Sequence, residues 1–214
     1  MRIHRKVHWK GDHDYVVTLT GHCDARPTQV YDLLADLGSH TDWGGDRQYR
    51  GFRLVSQEAS AAIATVGVEF HSVGRIPMTS VVNDNHNTVT IAHRPERLAF
   101  TTRTTIDWTD ARRLDLPPRG GPAAGVFHHD YTITADGDSS QVTYMLTQER
   151  FDRPPWGMRI PPVRVCTHRV TIPLWLARGF RNMLTTAEQT VEVGEASQTT
   201  SGSPRSTDVV GRSR

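Results

Sequence analysis

RLAFTTRTTIDW, residues 97–108, decides how the rest of the chain is read. Its even positions, Leu98, Phe100, Thr102, Thr104, Ile106 and Trp108, form one predominantly apolar series, whereas Arg103 and Asp107 fall in the other. A period of two is the signature of a strand with one face turned to a core. The same test applied to GVFHHDYTITA (125–135) groups Phe127, His129, Tyr131 and Ile133 against His128, Asp130, Thr132 and Thr134. In SQVTYMLTQER (140–150) it groups Val142, Tyr144, Leu146 and Gln148.

Working outward, YVVTLTGHC (15–23), FRLVSQ (52–57) and VGVEFHSVGRI (66–76) read as further strands. MTSVVND (78–84) and NTVTIAHR (87–94) read together as one bent strand, with a bulge expected around Asn83 to Asn87. Helical spacing appears twice. Pro27 opens a short pattern with Val30, Leu33, Leu34 and Leu37, ended by the Gly-Gly at 44 and 45. After the proline-rich connector DRPPWGMRIPPVR (152–164), Ile172, Leu176, Phe180, Met183 or Leu184, Ala187 and Val191 mark a long amphipathic helix, with Pro173 in its first turn or kinking it.

An antiparallel meander followed by one long amphipathic helix buries its apolar faces most directly by curling the sheet around the helix. The expected fold is therefore α+β, of helix-grip type: six to seven strands around the C-terminal helix, with two short helices after the first strand. Residues 1–13 are expected to be a flexible segment, 14–192 the domain, and 193–214, GEASQTTSGSPRSTDVVGRSR and its preceding valine, a disordered tail.

Composition narrows the function classes. Hydrophobic residues make up 36%, charged residues 22%, and the 25 Lys and Arg are scattered against 23 Asp and Glu, leaving a net charge of +2 and no footprint for nucleic acid. The two cysteines, Cys23 and Cys166, have neither zinc-site nor disulfide-framework spacing, so reduced thiols are expected. No apolar run is long enough for a membrane span and the N-terminus lacks a signal-peptide core, so a cytoplasmic protein without integral membrane association is expected.

Five segments, DARPTQVYDLLADLGSHTDW (24–43), VGVEFHSVGRIPMTS (66–80), RPERLAFTTR (94–103), TADGDSSQVTYML (134–146) and GFRNMLTTAEQ (179–189), stand in a familiar order. Together they resemble the polyketide cyclase/dehydrase branch of the SRPBCC superfamily, whose START-like fold is shared with StAR-related lipid-transfer domains and birch-pollen allergens. The resemblance runs over about Val16 to Gln189. It implies a deep, largely apolar cavity between the concave sheet face and the C-terminal helix. It carries over no catalytic residue, because the superfamily has no shared catalytic signature.

The strand alternation selects the residues that face such a cavity. Phe100, Thr102, Thr104, Trp108, Phe127, His129, Tyr131, Tyr144 and Gln148 come from the strands, and Leu176, Phe180 and Leu184 from the helix. A few polar groups in an apolar setting are the usual make-up of a small-molecule site. His128 and His129 fall on opposite faces of one strand and cannot jointly hold one ion, and no metal or cofactor is expected. His129 orients a ligand, serves as a general base, or satisfies Tyr131 in a polar wall; His129 and Tyr131 are the acid/base candidates. The segments RIPM (75–78), 109–125 and 152–164 are candidate gates, with Arg112, Arg113, Arg119 and Trp156 on them. Asp36 and Trp43 read as structural, and Cys166 with His168 makes a poor nucleophile pair. Three functions are weighed: binding of a hydrophobic small molecule of lipid, polyketide or isoprenoid type; an aromatase/cyclase or dehydratase; and a stress or assembly protein acting through protein contacts.

Overall fold

In the computed structural model, which describes residues 2–11, 14–44, 53–75, 82–106, 123–152 and 160–200, the chain forms eight antiparallel strands. They are β1 (Ile3–Gly11), β2 (Asp14–Cys23), β3 (Arg53–Ala59), β4 (Glu69–Arg75), β5 (Val82–His93), β6 (Arg97–Ile106), β7 (Ala123–Asp136) and β8 (Ser139–Asp152). One open sheet holds them in the order β1-β2-β8-β7-β6-β5-β4-β3. Between β2 and β3 lie two short helices, α1 (Pro27–Ala35) and α2 (His40–Trp43). After β8 come α3 (Pro161–Cys166), a π turn (Thr167–Thr171) and the long α4 (Ile172–Thr200).

The sheet has eight strands where six to seven are expected from the sequence. The extra one is β1, formed by the N-terminal segment expected to be flexible. Charged residues obscure its alternation, but Ile3, Val7 and Trp9 fall on one face and pack, partly buried, against the core. The strand pairs continuously with β2 from Ile3 opposite Gly21 to Trp9 opposite Tyr15.

Of the bent strand expected over 78–94, residues 78–81 lie outside the described part and Val82–His93 is one continuous strand, β5, but its irregularity lies between Val89 and Ile91 in the pairing with β6. From Asn83 to Thr88 it pairs without a break on both sides. The asparagines there are ladder residues, whereas asparagine in a sequence ordinarily signals a turn. The two-residue connection between β7 and β8 is different, since Gly137 takes φ of 64°, a left-handed conformation that glycine reaches without steric cost.

α1 starts at Pro27, whose missing N–H is of no consequence in a first turn, and Gln29 folds back so that its Oε1 accepts from the Arg26 N–H at 2.9 Å. Val30, Tyr31, Leu34 and Ala35 are its buried face. At the C-terminal end the helical path begins at Pro161, earlier than the connector expected there, and widens into the π turn, where the Ile172 N–H reaches back to the Thr167 carbonyl. The wide turn directly precedes Pro173, which has no N–H to offer the carbonyl four residues back. Beyond it, α4 runs past Val193, where order is expected to end, to Thr200; residues 201–214 lie outside the described part.

α4 packs chiefly along β1 and β2, and α1 against β6, β7 and β8. Phe180, Met183, Leu184 and Ala187 of α4 are buried against Val17, Leu19, Gly21 and Cys23. The contact is intimate: the Cys23 Sγ lies 3.5 Å from the Leu184 carbonyl, and the Tyr15 hydroxyl donates to the His168 carbonyl at 2.9 Å. No helix among the described residues is long and apolar enough to cross a membrane.

Candidate functional site

Cross-strand register lays the inward residues out in rows. One row runs Val89, Phe100, His129, Leu146, Val17 from β5 to β2. The next runs Leu98, Tyr131, Tyr144, Leu19, and a third Phe70, Asn87, Thr102, Phe127, Gln148, Tyr15. The period-two reading of β6, β7 and β8 thus corresponds to one physical surface, with His128 and Asp130 on the opposite face. There, Thr101 Oγ1 and Glu149 Oε2 bond the two ring nitrogens of His128 at 3.0 and 2.8 Å, and Arg97 makes a two-pronged bond to Asp130 at 3.0 and 2.6 Å.

Aromatic rings line the middle of the inward surface. Phe100 stacks on His129 with centroids 4.6 Å apart and planes at 13°, Tyr131 stacks on Tyr144 at 4.6 Å, and Phe180 of α4 meets Tyr144 at 6.2 Å. The partner of His129 is Tyr144, its Nδ1 standing 2.8 Å from the tyrosine hydroxyl. The sequence reading pairs His129 with Tyr131, its neighbour two residues along β7; the register places Tyr144 of β8 within reach instead.

Burial in this stack disfavours charge. It pushes the His129 imidazole down to about 3, with a smaller contribution from adjacent His128, and raises both Tyr131 and Tyr144 above the ordinary phenol range. All three are neutral at pH 7. A neutral imidazole bonded to a neutral phenol can offer or accept hydrogen bonds, but it does not store a proton near neutrality.

Away from α4 the surface changes character. Thr102 Oγ1 donates to Asn87 Oδ1 at 2.7 Å and Thr104 Oγ1 to Asn85 Oδ1 at 2.6 Å. Asn87 Nδ2 donates in turn to Ser72 Oγ at 3.1 Å and the Phe70 carbonyl at 3.0 Å. Ser72, Asn85, Asn87, Thr102 and Thr104 are all buried, forming a polar ladder across β4, β5 and β6. Asn83, next in the series, bonds Asn85 through its Nδ2 at 3.0 Å, while its buried Oδ1 has no hydrogen-bond partner.

Of the residues selected from the sequence, Thr102, Thr104, Tyr131, Tyr144, Gln148 and Phe180 are buried, and Phe100, Phe127, His129 and Leu176 partly so. Trp108, Arg112, Arg113, Arg119 and Trp156 lie outside the described residues, as do most residues of the three expected gates. Sequence reasoning missed Ser72, Asn85 and Asn87. The signal was the series Asn83, Asn85, Asn87 at period two, running into buried Val89. It also missed a cluster on the outer face, His71, Asp84 and His86, whose donor atoms lie within 4.8 Å of one another.

No protein-family model and no curated protein matches this sequence. Among solved structures, the chain is similar to a protein from Arthrobacter aurescens determined by solution NMR, with a TM-score of 0.56 at 13% identity over 86% of this chain and 91% of that one. A protein from Rhizobium leguminosarum gives a TM-score of 0.54 at 6% identity, covering 88% of this chain and 99% of its own. The protein CV1439 from Chromobacterium violaceum gives 0.53 at 14% identity, covering 81% and 96% respectively. At these identities the likeness is one of fold alone.

Proposed function

We propose that the chain is a helix-grip protein of the SRPBCC type that binds a hydrophobic small molecule carrying at least one hydrogen-bonding group, of lipid, polyketide or isoprenoid class, against the inward face of β4 to β8. The observation that carries this reading is the composition of that face. Beneath α4 it is filled by large apolar side chains, whereas toward β4 it bears short hydroxyls and amides bonded to one another. A core built only for stability avoids buried amides, because each must keep a partner or costs roughly 1–3 kcal/mol. An aromatic stack beside a short polar ladder suits a ligand with an apolar body and a polar end.

Turnover as an aromatase/cyclase or dehydratase ranks second. The His129 and Tyr144 pair has the residue types for proton transfer, but burial holds the imidazole near 3, far below the working pH of a general base.

Native mass spectrometry of gently purified protein, followed by solvent extraction, tests the binding reading. A defined apolar compound at near-equal stoichiometry supports it, and replacing Phe100 with Ala should then release the compound. A bare protein that also fails to take up a hydrophobic dye overturns it.

A further inference from the structure

We propose that His71, Asp84 and His86 form a binding site for a divalent transition-metal ion of the zinc class on the outward face of the sheet, separate from the inward wall. The backbone sets the arrangement. His71 of β4 stands directly opposite His86 of β5, and Asp84 precedes His86 by two residues, so all three side chains leave the same face. The β4–β5 ladder is unbroken from Glu69 opposite Thr88 to Arg75 opposite Val82, which gives the three donors a rigid base.

The distances fit without backbone movement. His71 Nε2 lies 2.6 Å from Asp84 Oδ1 and His86 Nε2 lies 3.5 Å from the same oxygen, with the imidazole centroids 5.0 Å apart. All three donor atoms fall within 4.8 Å of one another. Around a tetrahedral zinc with bonds of about 2.0–2.2 Å, donors are separated by about 3.3 Å. Side-chain torsions alone open the shorter contact and close the longer by the ångström or so required. The existing bond from His71 to Asp84 already orients one imidazole toward the carboxylate.

The donor set selects the ion. Two imidazoles and one carboxylate suit borderline ions such as Zn²⁺, whereas Mg²⁺ and Ca²⁺ require oxygen ligands throughout. Side-chain exposures of 37% for His71, 49% for Asp84 and 74% for His86 leave the site open to an ion from solvent and its remaining position to water. On β3, Glu58 stands opposite His71 in the ladder, while on β6 Arg103 stands opposite His86 and Thr105 opposite Asp84. The sequence conceals the triad because its members come from two strands, 13 and 15 residues apart.

The test uses untagged full-length protein, stripped with a chelator and titrated with zinc chloride at pH 7.5 by calorimetry, with thermal unfolding in parallel. Saturable binding of one Zn²⁺ is expected, with a rise in melting temperature that a chelator reverses and that magnesium chloride does not reproduce. His86→Ala and Asp84→Asn should each weaken binding by roughly tenfold or more. His8→Ala, which removes another exposed histidine bonded to an aspartate, should leave it unchanged. Since His86 is exposed and Asp84 about half so, both variants should fold, as their circular dichroism checks. Absence of saturable binding, wild-type affinity in both site variants, or an equal response to magnesium overturns the proposal.

Discussion

Gly21 and Leu184 approach so closely that a Cβ on Gly21 would stand 2.7 Å from Leu184 Cδ1 and 3.2 Å from Phe180 Cε1. The absent side chain on β2 is what seats α4 on the sheet. Leu184 is fully buried, so a Cβ at position 21 can be accommodated only by a shift of its side chain within the packed core. Gly21→Val should therefore destabilise the protein by about 1–3 kcal/mol, with Gly21→Ala less severe. In urea denaturation, a Gly21→Val variant as stable as the wild type would show that α4 is not docked here.

The bond between His129 and Tyr144 makes a second prediction. Removing the hydroxyl in Tyr144→Phe leaves the His129 Nδ1 without its partner, at a cost of about 1–3 kcal/mol. The double variant His129→Phe/Tyr144→Phe should lose less than the two single changes combined, because it leaves no orphaned group. A double-mutant cycle by chemical denaturation measures this coupling, and strict additivity would show that the two side chains act independently.

The same histidine gives stability a pH dependence of known sign. In the unfolded chain its pKa is about 6.5, and in the folded protein burial brings it to about 3, so between these values the unfolded state holds a proton that the folded state excludes. Its contribution is complete above pH ~6.5 and is lost as pH falls toward 3, on the order of a few kcal/mol in all. Asp32, held low chiefly by its bond to Arg94, also loses stability in acid, but His129→Gln retains that loss. The difference between wild type and His129→Gln in urea denaturation should therefore shrink steadily from pH 7 to pH 4. A constant difference would show that His129 is solvated.

How much of this was legible in the sequence depends on whether local pattern or partner strand decides. Along β6, β7 and β8 the inward face is a property of each strand alone, so alternation places Thr102, Tyr131, Tyr144 and Gln148 on the face that is buried. Hydrogen-bond partners belong to the register between strands, which is why His129 finds Tyr144 across β8 and why His71 meets Asp84 and His86 unannounced. Composition misleads in two places. Asparagine suggests a turn in β5, where a buried ladder supports it, and Arg, Lys and His in the first eleven residues suggest a loose arm where three apolar side chains anchor an edge strand.

That edge strand carries the last prediction. Trp9 stacks on His168 with centroids 4.9 Å apart, and the guanidinium groups of Arg164 and Arg169 stand 5.8 and 5.9 Å from its ring centre. β1 is thereby fastened to the π turn as well as to β2. Deleting residues 1–11 removes Ile3, Val7 and Trp9 from the core edge, each worth about 1.5–3 kcal/mol if fully buried, so a total loss of about 3–5 kcal/mol is expected for these partly buried side chains. It also bares the hydrogen-bonding edge of β2, so the truncated protein should self-associate with rising concentration. Trp9→Ala should show part of the stability loss without the association, because the strand and its ladder remain. Thermal unfolding and size-exclusion chromatography distinguish the two effects, and a truncated chain that melts like the wild type would mean that the N-terminal segment is the loose arm its composition suggests.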